Sequence, residues 1–255
     1  MPARRSITRS SGHYFLTDRI RDEVEWRKTP QSGGLAPPPA QKPLPAGNPV
    51  IIRLPGRESV EISGCDLMEA IARRKSRRRF KVSPLNLDEL AFLLWSTQGV
   101  RARLGEAAIS RTVPSAGCRH PFETYLAVKL VEGLAPGIYR YLPLDHALLL
   151  EKSIEQFDDV LTAAVRGQRF AAEAAVTFIW AAIPARTEWR YAEASYKVIA
   201  IDAGHICQNL YLACEAIGAG TCAIGAYDQD LVDELIGVDG KEEFTVYLAP
   251  VGKVR

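Results

Sequence analysis

Cysteine is scarce and unpatterned in this chain. There are five residues, at 65, 118, 207, 214 and 222, an odd count with no C-x-x-C pair. That excludes a disulfide framework and a zinc knuckle, and it suits a reducing, cytoplasmic setting. The four histidines, at 13, 120, 146 and 205, include no pair at i, i+4 spacing, so no metal site is expected. Long apolar runs are missing too. The longest strongly apolar stretch, "AAVTFIWAAI" at 174–183, is far short of the roughly 20 residues a membrane helix needs. Basic residues in "MPARRSITRSSGHYF" are followed by no apolar segment, so no secretory signal is expected. There is no Walker A sequence and no G-x-S-x-G elbow. "GAGTCA" at 218–223 satisfies G-x-G-x-x-G/A in form. It follows a helical stretch and leads into a strand, the reverse of a dinucleotide fingerprint, so Gly218 and Gly220 read as helix termination. A net charge of +2 and a pI near 8.3 argue against a domain built on polyanion binding.

What is present is positive charge in one place. "RRKSRRRF", residues 73–80, holds six basic side chains in eight positions. Three uses compete: a solvated surface, a nucleic-acid patch, or a cradle for one small, highly charged ligand. A nucleic-acid patch calls for stacking aromatics or a reading helix, and the neighbours here are aliphatic. If the chain is extended after Arg74, side chains alternate. Arg74, Ser76 and Arg78 then share one side, and Lys75, Arg77 and Arg79 the other. Two guanidiniums flanking a hydroxyl suit a phosphate monoester.

Seven of the sixteen prolines fall between 30 and 49, so residues 1–50 read as an extended, Pro-rich arm or a disordered tail. Residues 51–255 form the domain. Asp66 with Glu69 resembles a capping box for a helix through "LMEAIARR"; Asn86 and Glu89 open a second helix that stops at Gly99. "TYLAVKL", "GIYRY" and "HALLLEK" read as a strand meander, followed by a helix from Ser153 to about Arg166. "AAVTFIWAAI" reads as a central strand buried on both faces. The longest helix is expected over about 189–217. Tyr196, Ile199, Ala203, Ile206, Leu210, Ala213 and Ile217 are spaced 3-4-3-4-3-4 along it. Such a seam fits a subunit interface or a core helix within one monomer. "TCAIGAY", "DQDLVDELIG" and "EFTVYLAPVG" add a strand and loop, a capped helix and a last strand. The expected class is α+β, with a mostly antiparallel sheet flanked by helices.

"SRRRF", "VPSAG" followed by "YLAV", "AGHICQNLYLACEAIGAGTCAIGAYD" and a late "YLAPVG" resemble, in that order, the nitroreductase-like FMN oxidoreductases. Within these they resemble the SagB-type dehydrogenase branch, which includes azoline oxidases of modified peptides. The resemblance implies FMN as cofactor, NAD(P)H or an organic donor as the hydride source, a small-molecule acceptor, and a homodimer with FMN between subunits. It implies that Arg74, Ser76 and Arg78 hold the phosphate and ribityl chain. The loop Pro114, Ser115, Ala116, Gly117 and Cys118 is expected to reach the partner's flavin ring, with Cys118 where the family usually has Asn. Ala223, Ile224, Gly225 and Ala226 match the loop whose amide bonds flavin N5. Gln168 or Arg169 falls near the pyrimidine edge, and Lys253 and Arg255 match a basic pair near the phosphate. His205, Gln208 and Asn209 read as satisfied buried polar groups in preference to catalysts. Arg190-Tyr191 stands where azoline-oxidising relatives carry Lys-Tyr, which makes these two the catalytic candidates, with Arg190 orienting an anionic substrate, holding Tyr191 in place, or lying on the surface without a role. Arginine cannot serve as a general base, so a reductase acting on a small molecule is favoured over a peptide azoline dehydrogenase. A flavin-binding protein without turnover and a basic adaptor without flavin are the other readings.

Overall fold

A computed structural model describes residues 9–62, 64–104 and 108–254. The N-terminal arm is only half extended. Its first part forms α1 (Arg9–Leu16), α2 (Ile20–Glu23) and a 3-10 turn at Trp26–Lys28, and the chain from Leu35 to Val50 then runs without regular structure. Helix in place of the expected extended arm follows from the distribution of proline, which is absent from positions 9–29 and dense from 30 onward.

The domain is built on a seven-stranded sheet. The strands in chain order are β1 (Ile51–Arg53), β4 (Phe122–Val128), β5 (Gly137–Leu142), β6 (Ala147–Ser153), β7 (Val176–Ala182), β8 (Ala219–Thr221) and β9 (Phe244–Lys253); β2 (Val100–Arg103) and β3 (Ile109–Arg111) form a separate hairpin. The sheet order is β1-β6-β5-β4-β7-β9-β8, and every pairing within it is antiparallel. The apolar run at 174–183 supplies β7, which lies between β4 and β9 with every residue buried. Helices cover both faces. Leu90, Leu94, Ile206 and Leu210, from α4 (Leu87–Gln98) and α7 (Ser195–Ala216), pack with Phe178 and Trp180 of β7. Leu161, Val232 and Ile236, from α5 (Phe157–Ala164) and α8 (Gln229–Ile236), pack on the other face with Tyr125 and Ile179.

Several boundaries differ from the sequence expectation. The fifth helix is shorter than 153–166: Ser153 ends β6, and Gln156 in the left-handed region (φ 50) turns the chain into α5. The expected long helix is two. α6 (Ala185–Tyr191) ends where Ala192 takes φ 44, a 3-10 turn follows, and α7 begins at Ser195. The seam on α7 faces its own sheet. Ile199, Ala203, Ile206, Leu210, Ala213 and Ile217 are buried in the single chain, and only Tyr196 is exposed. The seam is therefore core, and Ile206→Glu or Leu210→Glu would break the monomer rather than test a dimer. Gly220 is not a helix stop either. It lies in β8, where an added Cβ would collide with Arg77 Cγ. Gly218 does end the helix region, with φ 62.

Candidate flavin site

α3 (Leu67–Arg73) is capped by Asp66, whose carboxylate accepts from the Met68 and Glu69 amides. The box is half made, because Glu69 turns forward to Arg73. The helix stops at Arg74 (ψ 124) and the chain runs extended to Phe80, which bridges to Val254. Side chains alternate along this run as sterics require. Arg74 lies over the Tyr211 ring, 5.2 Å from its centroid, and Ser76 Oγ is 3.0 Å from the Tyr211 hydroxyl. Arg78 lies 5.8 Å from the Phe170 centroid. Arg77 points the other way, against Gly220, with its guanidinium 3.9 Å from Glu215. Arg73 is also held, by Glu69 at 2.9 Å and Glu215 at 3.8 Å. Among the described residues no carboxylate pairs with Arg74 or Arg78.

The same aromatic anchors tie this run to the loop Ala223–Ala226. The Ala223 amide donates to Tyr211 Oη at 2.9 Å, and Gln168 Nε2 donates to the Ala226 carbonyl at 2.7 Å. Ile224 is pinned to Leu248 by hydrogen bonds in both directions. Between these fixed points Gly225 and Ala226 are exposed, and among the described residues neither amide donates to another backbone or side-chain group of the chain. A Cβ at Gly225 would meet nothing closer than Tyr247 at 4.0 Å. Gln168, not the exposed Arg169, meets the loop.

Pro114–Cys118 belongs to a second group. Ser115 Oγ donates to Asp202 Oδ2 at 2.6 Å and accepts from the His120 amide at 2.9 Å. Asp202 also accepts from the Ala116 backbone. Burial raises the Asp202 pKa, and these two bonds partly offset it. The hydroxyl of Ser115 is thus committed to holding the loop against α7. Gly117 (φ 58) is where α6 presses closest: an added Cβ would lie 2.8 Å from Arg190 Cδ and 3.0 Å from Tyr191 Oη. Cys118 follows at φ 54. The two groups do not meet within one chain. Asp202 and Tyr211 stand nine positions apart on α7 (211 minus 202), about 13 Å along the axis at 1.5 Å per residue.

Lys253 is spoken for. Its ammonium bonds Glu89 and, at 2.7 Å, the Ile217 carbonyl, so it does not join Arg74 and Arg78. Arg255 lies outside the described residues. Of the three polar residues expected to be buried and satisfied, only Asn209 fits, donating to the Ser96 carbonyl at 2.8 Å and fastening α7 to α4; Gln208 faces outward and is exposed, and His205 Nδ1 has no hydrogen-bond partner among the described residues, with Asp202 3.9 Å away. Tyr211, Phe170 and Asp202 went unread in the sequence. Tyr211 offered a signal, a ring with a polar tip beside the apolar seam; Asp202 offered none, because its burial shows only in the fold.

His120 is expected to make the fold acid-sensitive. Burial, then the charge of Arg111, push its imidazole down to about 3, with Arg119 and Arg186 adding to the effect. The unfolded chain takes up this proton near pH 6.5, while the folded chain resists it until pH approaches 3. The stability that neutral His120 contributes is therefore fully present above about 6.5 and declines as pH falls through that window. His120→Asn, which tolerates the φ of 45, should flatten the decline in thermal melts taken from neutral to acid pH. An unchanged slope would remove His120 as its source.

An antiparallel sheet covered on both faces, with an extended Arg-x-Ser-x-Arg run beside a loop of open amides, defines a nitroreductase-type architecture. The sequence profile of the Nitroreductase family matches residues 71–253, and the chain belongs to that family. A protein of Methanocaldococcus jannaschii named as a nitroreductase, MJ1384, is 31% identical over 207 residues, covering 81% of this chain and 98% of its own. A crystal structure from Ralstonia eutropha, also named as a nitroreductase, is 26% identical with a TM-score of 0.67, over 84% of this chain and 98% of that one. The trifolitoxin-processing protein TfxB of Rhizobium leguminosarum is 29% identical over 140 residues, 51% of this chain and 36% of TfxB.

Proposed function

We propose that this chain is an FMN-dependent oxidoreductase that passes reducing equivalents from NAD(P)H or an organic donor to a small-molecule acceptor. One observation carries the reading: Arg74 and Arg78 have no carboxylate partner among the described residues, while Arg73 and Arg77 beside them are paired to Glu215. Two such guanidiniums beside the Ser76 hydroxyl fit the phosphate of FMN. The open amides of Gly225 and Ala226 fit the edge of a flat heteroaromatic ring, and Gln168 and Tyr211 hold that loop in place. Bound FMN supplies two-electron transfer at its ring; the chain supplies charge, amide donors and position.

The reading includes a homodimer. The loop at Gly117 and the cluster at Tyr211 sit at different levels of α7, and each is half a site. A second copy running antiparallel along α7 would set one chain's loop beside the other's cluster. The open face of α7 suits this contact: Ile201 is 46% exposed and Gly204 has nothing near its Cβ position. The purified protein should be a yellow dimer. Ile201→Glu should lose dimer and flavin together, read by light scattering and flavin absorbance. A flavin-loaded monomer would contradict the shared site.

The likeness to TfxB favours a second reading, an azoline dehydrogenase of a peptide-modifying system. Against it, Arg190 precedes Tyr191 where a lysine base would be needed, and a guanidinium stays protonated.

A further inference from the structure

The two ends of the candidate flavin site meet on one side chain. Tyr211 is half-buried on α7, with its ring packed against the core. Its hydroxyl accepts from the Ala223 amide at 2.9 Å and lies 3.0 Å from Ser76 Oγ. The Arg74 guanidinium lies over the same ring, 5.2 Å from its centroid. The basic run and the chain leading to Ala223 are joined a second time, where the Arg77 amide donates to the Thr221 carbonyl at 2.8 Å. The Ala223 amide is thus committed to Tyr211. Among the described residues, the amides of this loop left open to a ligand are those of Gly225 and Ala226.

Counting hydrogens gives the contact a direction. A tyrosine hydroxyl and a serine hydroxyl carry one hydrogen each. Ser76 is exposed, and its hydroxyl bonds no other group among the described residues. A phosphate dianion only accepts, so Ser76 beside it gives its hydrogen outward. The Tyr211 hydrogen is then the one shared with Ser76 Oγ. The result is a chain of donors: the Ala223 amide to Tyr211, Tyr211 to Ser76, and Ser76 to the phosphate. Each bond in such a chain polarises the next.

We propose that Tyr211 is a positioning residue that links the phosphate end of the site to the ring end. Its hydroxyl aims Ser76 at the phosphate, and its hold on Ala223 sets where the open amides of Gly225 and Ala226 stand. This rests on the flavin reading and adds a residue to it. Phenylalanine at 211 keeps the ring, its packing and its contact with Arg74, and removes both hydroxyl bonds at once. Alanine at 76 removes the phosphate branch alone.

The test uses the full-length chain with Tyr211→Phe, Ser76→Ala and the two combined. Flavin-depleted protein is titrated with FMN and with riboflavin, which lacks only the phosphate. The midpoint potential is measured on the FMN-loaded protein. Ser76→Ala should cut the preference for FMN over riboflavin about tenfold, and Tyr211→Phe about three- to tenfold. The combined variant should fall no lower than Ser76→Ala, because both changes break one chain. The potential should move in Tyr211→Phe and stay close to wild type in Ser76→Ala. A Tyr211→Phe protein with the wild-type preference, one with the wild-type potential, or losses of preference that multiply in the combined variant each overturn the proposal. Any of these in a chain that binds FMN sinks this inference alone. A wild-type chain that binds neither flavin sinks the oxidoreductase reading, and this inference with it.

Discussion

A chain beginning at residue 44 is expected to lose cooperative folding. The reason is a set of charges buried at the end of the sheet. Arg140, Glu123, Arg186 and Arg111 are each 3% exposed or less. Glu123 pairs with Arg186 and lies 3.9 Å from Arg140. The arm completes the set. The Lys42 amide donates to Glu123 at 2.8 Å, and its ammonium bonds Glu243 and the Tyr125 hydroxyl. The carbonyls of Lys42 and Pro43 each accept from Arg140 at 2.9 Å, and that of Ala40 from Arg111 at 2.8 Å. Removing one partner of a buried charge costs about 3–5 kcal/mol. Truncation removes partners from several at once, against a total stability of about 5–15 kcal/mol for an ordinary domain. Glu123→Ala in the full chain should cost about 3–5 kcal/mol in urea melts by itself. A truncated protein with the midpoint of the full chain would contradict this role for the arm.

The second large effect is on cofactor affinity. A hydrogen bond to a charged group is worth about 1.5–3 kcal/mol, and each 1.4 is tenfold. Arg74→Ala and Arg78→Ala should each weaken FMN about ten- to a hundredfold in titrations of the apoprotein. Arg79→Ala should do little, since Arg79 is exposed on the alternate side. Arg77→Ala should cost stability instead, because its stem packs on Gly220 and its charge meets Glu215. Equal losses of affinity at 78 and 79 would sink the alternation.

Much of this was legible in the residues, and the exceptions have physical causes. The alternation through 74–78 follows from extended backbone, so a helix end at Arg74 was enough to sort the charges. The apolar run at 174–183 read as a central strand buried on both faces, and it supplies β7, buried throughout. The capping pair Asn86 and Glu89 forms as the spacing implied. The seam on α7 was readable as a seam, but periodicity says which face is apolar and not which surface covers it. The break at Ala192, where φ is 44, had no glycine or proline to mark it. Tyr211 was hidden because its contacts, with Arg74, Ser76 and Ala223, join segments far apart in sequence. The arm's partners Glu123 and Arg140 sit on strands whose alternation is apolar elsewhere, and only the folded sheet shows them facing Lys42.

The most direct measurement is anaerobic mixing of the purified protein with NADPH and, separately, NADH, followed by flavin absorbance. An FMN oxidoreductase of this kind should be yellow as isolated and should bleach with at least one donor, the colour returning when an acceptor is added. A colourless protein that takes up no FMN, or a yellow one whose colour neither donor nor any organic substrate discharges, would contradict it.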